Sequence, residues 1–146
     1  MGRSPGQKGK RWEQGAAKEL TRGCGYWRRT PGSGAFGTQT GDASITGDLI
    51  GRYPWWKDFK GEAKYGYGTS KQLTLQREWV RKIREESGRS RQYPCVLLKF
   101  KNVRSGDIAS SKLIMFDLET WNKMMEELGK IWEHYLRLLD ETSTNQ

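Results

Sequence analysis

Three residues near the middle of the chain have the types and spacing for hydrolytic chemistry. Asp48 precedes Leu49-Ile50-Gly51, and Glu62 and Lys64 lie in Phe59-Lys60-Gly61-Glu62-Ala63-Lys64. Both runs read as short strands, joined by a turn that holds Tyr53-Pro54-Trp55-Trp56. Side chains alternate faces along a strand, so Glu62 and Lys64 share one face and Ala63 takes the other. Cutting a phosphodiester requires charge neutralisation on the phosphate and an activated water. A Mg²⁺ held by one or two carboxylates supplies both. Asp48 and Glu62 are the candidate ligands, the backbone carbonyl of Ala63 is a third, and Lys64 can position the water or steady the developing charge. Read alone, Glu62 and Lys64 are equally an exposed charge pair worth less than about 1 kcal/mol.

The composition removes rival chemistries. There is one histidine, His134, so histidine-metal hydrolases and Ser-His or Cys-His nucleophiles lack their parts. Cys24 and Cys95 follow no metal-ligand spacing and read as reduced, packed thiols. The net charge of +9 points to a polyanionic partner, most simply nucleic acid. No apolar run has the length of a membrane span and no signal-peptide core opens the chain, so the expected setting is cytoplasmic, with DNA. At 146 residues the chain is the size of one domain.

The elements that must position these groups follow from periodicity. Residues 1–7 read as a frayed terminus. Trp12, Ala16, Ala17 and Leu20 predict a helix over Lys8–Thr21, stopped by Gly23 and Gly25. Tyr26–Thr30 is a first strand, ended by Pro31. A glycine-rich loop lasts to Ala43. Ile45–Arg52 and Phe59–Lys64 are the second and third strands. Thr74–Ser87 is a helix closed by Gly88, with Leu75, Trp79 and Ile83 inward and Arg77, Arg81 and Arg84 on another face. Pro94–Phe100 is a buried strand and Lys112–Phe116 a fifth. Asp117 caps a long helix to about Leu139, with more apolar surface than one small sheet needs, followed by a polar tail. The expected fold is a single α/β domain: a central mixed sheet of about five strands flanked by helices.

Taken with the N-terminus, the order of motifs is specific. Lys8-Gly9-x-x-x-Glu13 opens a helix, and an aromatic strand ends in Arg28-Arg29. Gly32-Ser33-Gly34, Gly47-Asp48-Leu49-Ile50, Glu62-Ala63-Lys64 and a helix with Gln76 follow. Over Lys8–Gly88 this order resembles the archaeal-type Holliday junction resolvases, a branch of the PD-(D/E)XK nuclease superfamily. Gly47 stands where that family usually has Pro, and the loop between Arg29 and Asp48 is long.

The resemblance implies the restriction-endonuclease-like fold. Glu13 would complete the metal site, with Glu19 a weaker rival. Ser33 would contact the scissile phosphate region, and Asp48, Glu62 and Lys64 would cut. It also implies a homodimer resolving four-way junctions by paired symmetric nicks, with Mg²⁺ (Mn²⁺ as substitute) and no small-molecule cofactor. Arg11, Arg28, Arg29, Lys71, Arg77 and Arg81 are candidate phosphate contacts. Trp55, Trp56, Tyr65 and Tyr67 can stack on bases, although core packing or turn filling is the leading expectation for the two tryptophans. Two alternatives stay open: a phage or repair nuclease on the same fold, cutting duplex, flap or single-stranded DNA, and a non-catalytic DNA-binding domain.

Overall fold

A computed structural model describes residues 4–22, 25–31, 47–69, 71–103 and 111–144. They form two compact units, Met1–Met115 and Phe116–Gln146. In the first, five strands lie side by side in chain order: β1 (Tyr26–Arg29), β2 (Leu49–Arg52), β3 (Phe59–Tyr65), β4 (Tyr93–Lys99) and β5 (Lys112–Met115). All neighbours are antiparallel except β3 and β4, which run parallel. A parallel pair needs a long crossover, and helix α2 (Arg77–Ser90) lies within it. This is the mixed five-stranded α/β architecture the sequence predicts.

Helix α1 (Pro5–Leu20) starts earlier than its apolar spacing indicates. Ser4 and Gln7 close a capping box, each side chain accepting the other's backbone N–H. Residues 4–7 are therefore cap and first turn, not a frayed end. Alternation along the strands divides the sheet. One face carries Leu49, Gly61, Cys95 and Leu97; α1 packs on β1 and β3 and buries Trp12, Ala16 and Ala17. The other face carries Lys60, Glu62, Lys64, Val96 and Leu98. There α2 presses Trp79 and Ile83 onto Val96 and Leu98.

Two boundaries of α2 differ from expectation. Leu75 and Gln76 precede the helix, and Leu75 is exposed. Gly88 lies inside the helix; Arg91, in the left-handed region at φ 54°, ends it by donating its N–H to the Ser87 carbonyl. Cys95 is a buried free thiol, and burial pushes its pKa well up, so it is held protonated. Cys24 lies outside the described residues.

The turn after β2 is an aromatic cluster. Trp56 packs edge-on against Phe59 and Tyr93, while Trp55 stacks on Trp56 and stays half exposed. Trp27 lies across Gly51 and donates its indole N–H to the Tyr53 hydroxyl at 3.1 Å. A Cβ at Gly51 would sit 2.3 Å from the Trp27 ring. Gly51→Ala is therefore expected to destabilise the first unit by about 3 kcal/mol, as overpacking does. Urea unfolding should show a lower midpoint at an unchanged m-value.

The second unit is helix α3 (Leu118–Thr144), capped as expected by Asp117, whose carboxylate accepts from the Thr120 N–H and hydroxyl. It outruns Leu139 to Thr144, so most of the expected polar tail is helical. No helix among the described residues is long and apolar enough to cross a membrane.

Candidate active site

The notable geometry lies where β2 begins and β3 runs on. Leu49 is paired with Gly61, which sets Asp48 level with Glu62 on the α2 face. The backbone of Asp48 is held on both sides. Its N–H donates to the Gly61 carbonyl (3.0 Å), and its carbonyl accepts from the Thr30 N–H (2.9 Å). Past that point no described strand pairs with this edge of β3. Instead the Ala63 N–H donates to Asp48 Oδ2 at 2.9 Å. In a strand a residue's N–H and C=O point to the same edge, so the Ala63 carbonyl also faces this notch.

Gly47 explains the departure from proline. Its φ is +86°, which glycine tolerates and proline's ring forbids. A Cβ there would also crowd the Lys60 side chain at 3.0 Å.

Glu62 is buried and held by two ammonium groups. Lys64 Nζ lies 2.6 Å from Oε1, and Lys82 Nζ, from α2, lies 3.3 Å from Oε2. Asp48 is strongly perturbed. Burial, then the Glu62 charge, raise its pKa from 3.8 to about 6; Glu13 adds to the rise, and the Ala63 N–H and Lys64 oppose it. Burial alone would lower the Lys82 ammonium, but Glu62 and Glu86 outweigh it and hold Lys82 above its ordinary value.

Glu13 comes from α1 on the opposite face. It is buried and ion-paired with Arg29, at the end of β1. Asp48, Glu62, Lys64 and the Ala63 backbone thus meet at one notch, and Glu13 reaches it electrostatically. Glu19 is elsewhere, paired with Lys112 at the start of β5. Ser33 lies outside the described residues. Among the described residues no three metal-binding side chains converge as a ready group, since Glu13 turns to Arg29 and Glu62 to its lysines.

The candidate phosphate contacts are scattered. Arg11, Arg28, Lys71 and Arg77 are exposed, and Arg29 is occupied by Glu13. Arg81 is shared between Glu78 and Glu85, which tempers the basic stripe of α2. Sequence reasoning missed Lys82 and Lys60. Lys82 flanks the inward stripe at Trp79 and Ile83, a position that helical spacing could have flagged. Lys60 is fully buried and donates to the Glu86 carbonyl at 3.2 Å. Strand alternation puts it beside Glu62, but nothing in the sequence signals its burial.

A protein-family model described as "Phage putative PDDEXK endonuclease" matches residues 5–145. The chain belongs to this family. No curated protein matches it significantly. Membership in the PDDEXK endonucleases agrees with the mixed sheet and with a Glu-x-Lys on the third strand. In this family member the acidic residue across the notch from that motif is Asp48.

Proposed function

We propose that this PDDEXK family member is a Mg²⁺-dependent endodeoxyribonuclease that cuts branched DNA, with the four-way junction as substrate and a homodimer as working form. The observation that carries the chemistry is the meeting of Asp48 and Glu62, level with each other at the β2–β3 notch, with Lys64 beside them.

A divalent cation fits the donors there. Mg²⁺ takes oxygen ligands and usually only one or two carboxylates. Asp48 sits at a pKa of about 6 because burial and like charges crowd it, an imbalance that a cation would relieve. Asp48, Glu62 and the Ala63 carbonyl would hold the ion, with Glu13 completing the set once released from Arg29; Mn²⁺ suits the same oxygens. When bound, the ion supplies charge neutralisation and a more acidic water. The chain's own groups do the rest. Lys64 places a positive charge against the phosphate, and Lys82 holds the Glu62 carboxylate in place. Arg28, Lys71 and Arg77 hold the backbone by position, together with Arg11, Arg29 and Arg81. Ser33 contributes a phosphate contact by the motif resemblance.

Junction specificity is supported by the motif order over Lys8–Gly88. The dimer is supported by α3, where Leu128, Ile131, Trp132 and Tyr135 line an apolar groove. The second reading keeps the site and changes the substrate to duplex, flap or single-stranded DNA. It is favoured by the exposed cations Lys8, Arg11, Lys18 and Arg22 along α1 and the turn after it, which meet no carboxylate among the described residues. Incubation of the protein with a labelled junction, flap and linear duplex, with Mg²⁺ and with chelator, tests both. Paired symmetric nicks in the junction alone support the first, and equal or flap-selective cutting the second. Binding without metal-dependent cutting would remove both.

A further inference from the structure

Lys8, Arg11, Gly15, Lys18 and Arg22 recur in steps of three and four along α1 and the turn after it. They form one wall of a cavity of about 780 Å³. Tyr65, Lys99 and Lys112 form the facing wall, at the ends of β3 and β4 and the start of β5. Among the described residues the only acid lining it is Glu19, which Lys112 already neutralises. Lys99 lies over the rings of Trp12 and Tyr65, at 5.6 and 5.7 Å, so its contacts are aromatic. Lys8, Arg11, Lys18 and Arg22 meet no carboxylate among the described residues.

That arrangement differs from the cations of α2, where Arg81 and Lys82 are each held by two glutamates. Here Lys8, Arg11, Lys18 and Arg22 face Lys99 across a gap whose one acid among the described residues, Glu19, is taken by Lys112, which favours an anion of several charges. The α1 stripe from Lys8 to Arg22 extends over roughly 20 Å of helix axis. A single phosphodiester chain can lie between two such walls and be neutralised from both. A duplex, a rigid rod, can touch only the rim. Sequence-tolerant single-strand sites are grooves of this kind, positive along the backbone.

The cavity lies on the α1 face of the sheet, opposite the notch, and the two come together in the chain at the end of β3. Tyr65 follows Lys64 on β3, and Trp12, beside Glu13, lines the cavity on α1. A strand leaving Asp48 and Glu62 need only cross the end of β3 to enter it. We propose that this cavity holds the phosphodiester backbone of a single-stranded DNA segment continuous with the strand at the Asp48–Glu62 site. It rests on the nuclease reading above and makes a single-stranded arm a determinant of which branched substrates are taken.

The test uses the full chain in chelator, so that cutting cannot consume the probe, and fluorescence anisotropy of a labelled 12-nucleotide oligo(dT) and a 12-base-pair duplex. Lys18→Glu with Arg22→Glu should weaken oligo(dT) binding at least tenfold. It should also reduce the slope of log K against log salt by about 1.4, or about 0.7 per lost phosphate contact. Duplex binding should change less than twofold. Lys18→Ala with Arg22→Ala, which adds no charge, should move the same way by less. Unchanged oligo(dT) binding in both variants, or equal weakening on both probes, overturns the proposal. Parallel assays in Mg²⁺ separate the two readings: selective loss of oligo(dT) binding in a protein that never cuts keeps the groove and removes the nuclease.

Discussion

Asp48→Asn and Glu62→Gln should each lower Mg²⁺-dependent cutting on the order of 10³-fold or more, while DNA binding in chelator stays within a few-fold. The pair is informative because the two changes should move stability in opposite directions. Asp48 titrates near 6 in the folded protein against 3.8 ordinarily, so between those values the native state binds the extra proton. Its contribution to metal-free stability is greatest below pH 3.8 and is lost as pH rises through 6, about 3 kcal/mol in all. Asparagine keeps an oxygen for the Ala63 N–H and removes the charge. Asp48→Asn should therefore be more stable than the parent at pH 8, by up to about 3 kcal/mol, and converge with it at pH 4. Glu62→Gln does the reverse. It leaves the Lys64 and Lys82 ammonium groups without their shared carboxylate, at a cost of about 1–3 kcal/mol. Two variants that both stop cutting, one stabilised and one weakened, separate chemistry from folding. Urea titrations across pH alongside single-turnover cleavage make the comparison. Parental cutting by either variant would remove that residue from the site.

The notch was legible in the sequence because it depends on a period of two. Glu62 and Lys64 share a face by alternation, and a short turn brings Asp48 back level with them. The carboxylate order within the fold was readable for the same reason. What depended on three-dimensional neighbours was not. Nothing in the strand pattern marks Lys60 as a core residue, yet it is buried where α2 crosses above it and offers the Glu86 carbonyl. Lys82 reached Glu62 only once that crossover was fixed. Helix ends were misplaced wherever capping outweighed apolar spacing. Ser4 with Gln7 extended α1, and Arg91 took a left-handed turn that Gly88 was better suited to adopt. The neutralisation of Arg81 was readable all along, since Glu78 and Glu85 stand three and four residues away on one helix.

The dependence of the notch on α1 yields the second large effect. Deleting the residues before Ala16 should abolish cutting, but that deletion also removes Trp12, which is 6% exposed. Loss of a core tryptophan alone costs about 3–5 kcal/mol, a large part of the stability of a domain this size. Truncation thus cannot distinguish a missing ligand from a missing core. Glu13→Gln can. It preserves volume and still accepts a hydrogen bond from Arg29, so the packing of α1 on β1 and β3 should survive. If Glu13 joins Asp48 and Glu62 around the ion, the variant should need at least tenfold more Mg²⁺ for half-maximal cutting. Its rate at saturating metal should also fall about 100-fold. If Glu13 only anchors Arg29, the Mg²⁺ requirement should stay put. Arg29→Gln supplies the opposite arm: freeing Glu13 from its guanidinium should tighten metal binding while weakening DNA binding. A metal titration of cutting for both variants decides whether the site is assembled from β2 and β3 alone or requires the helix on the far face of the sheet.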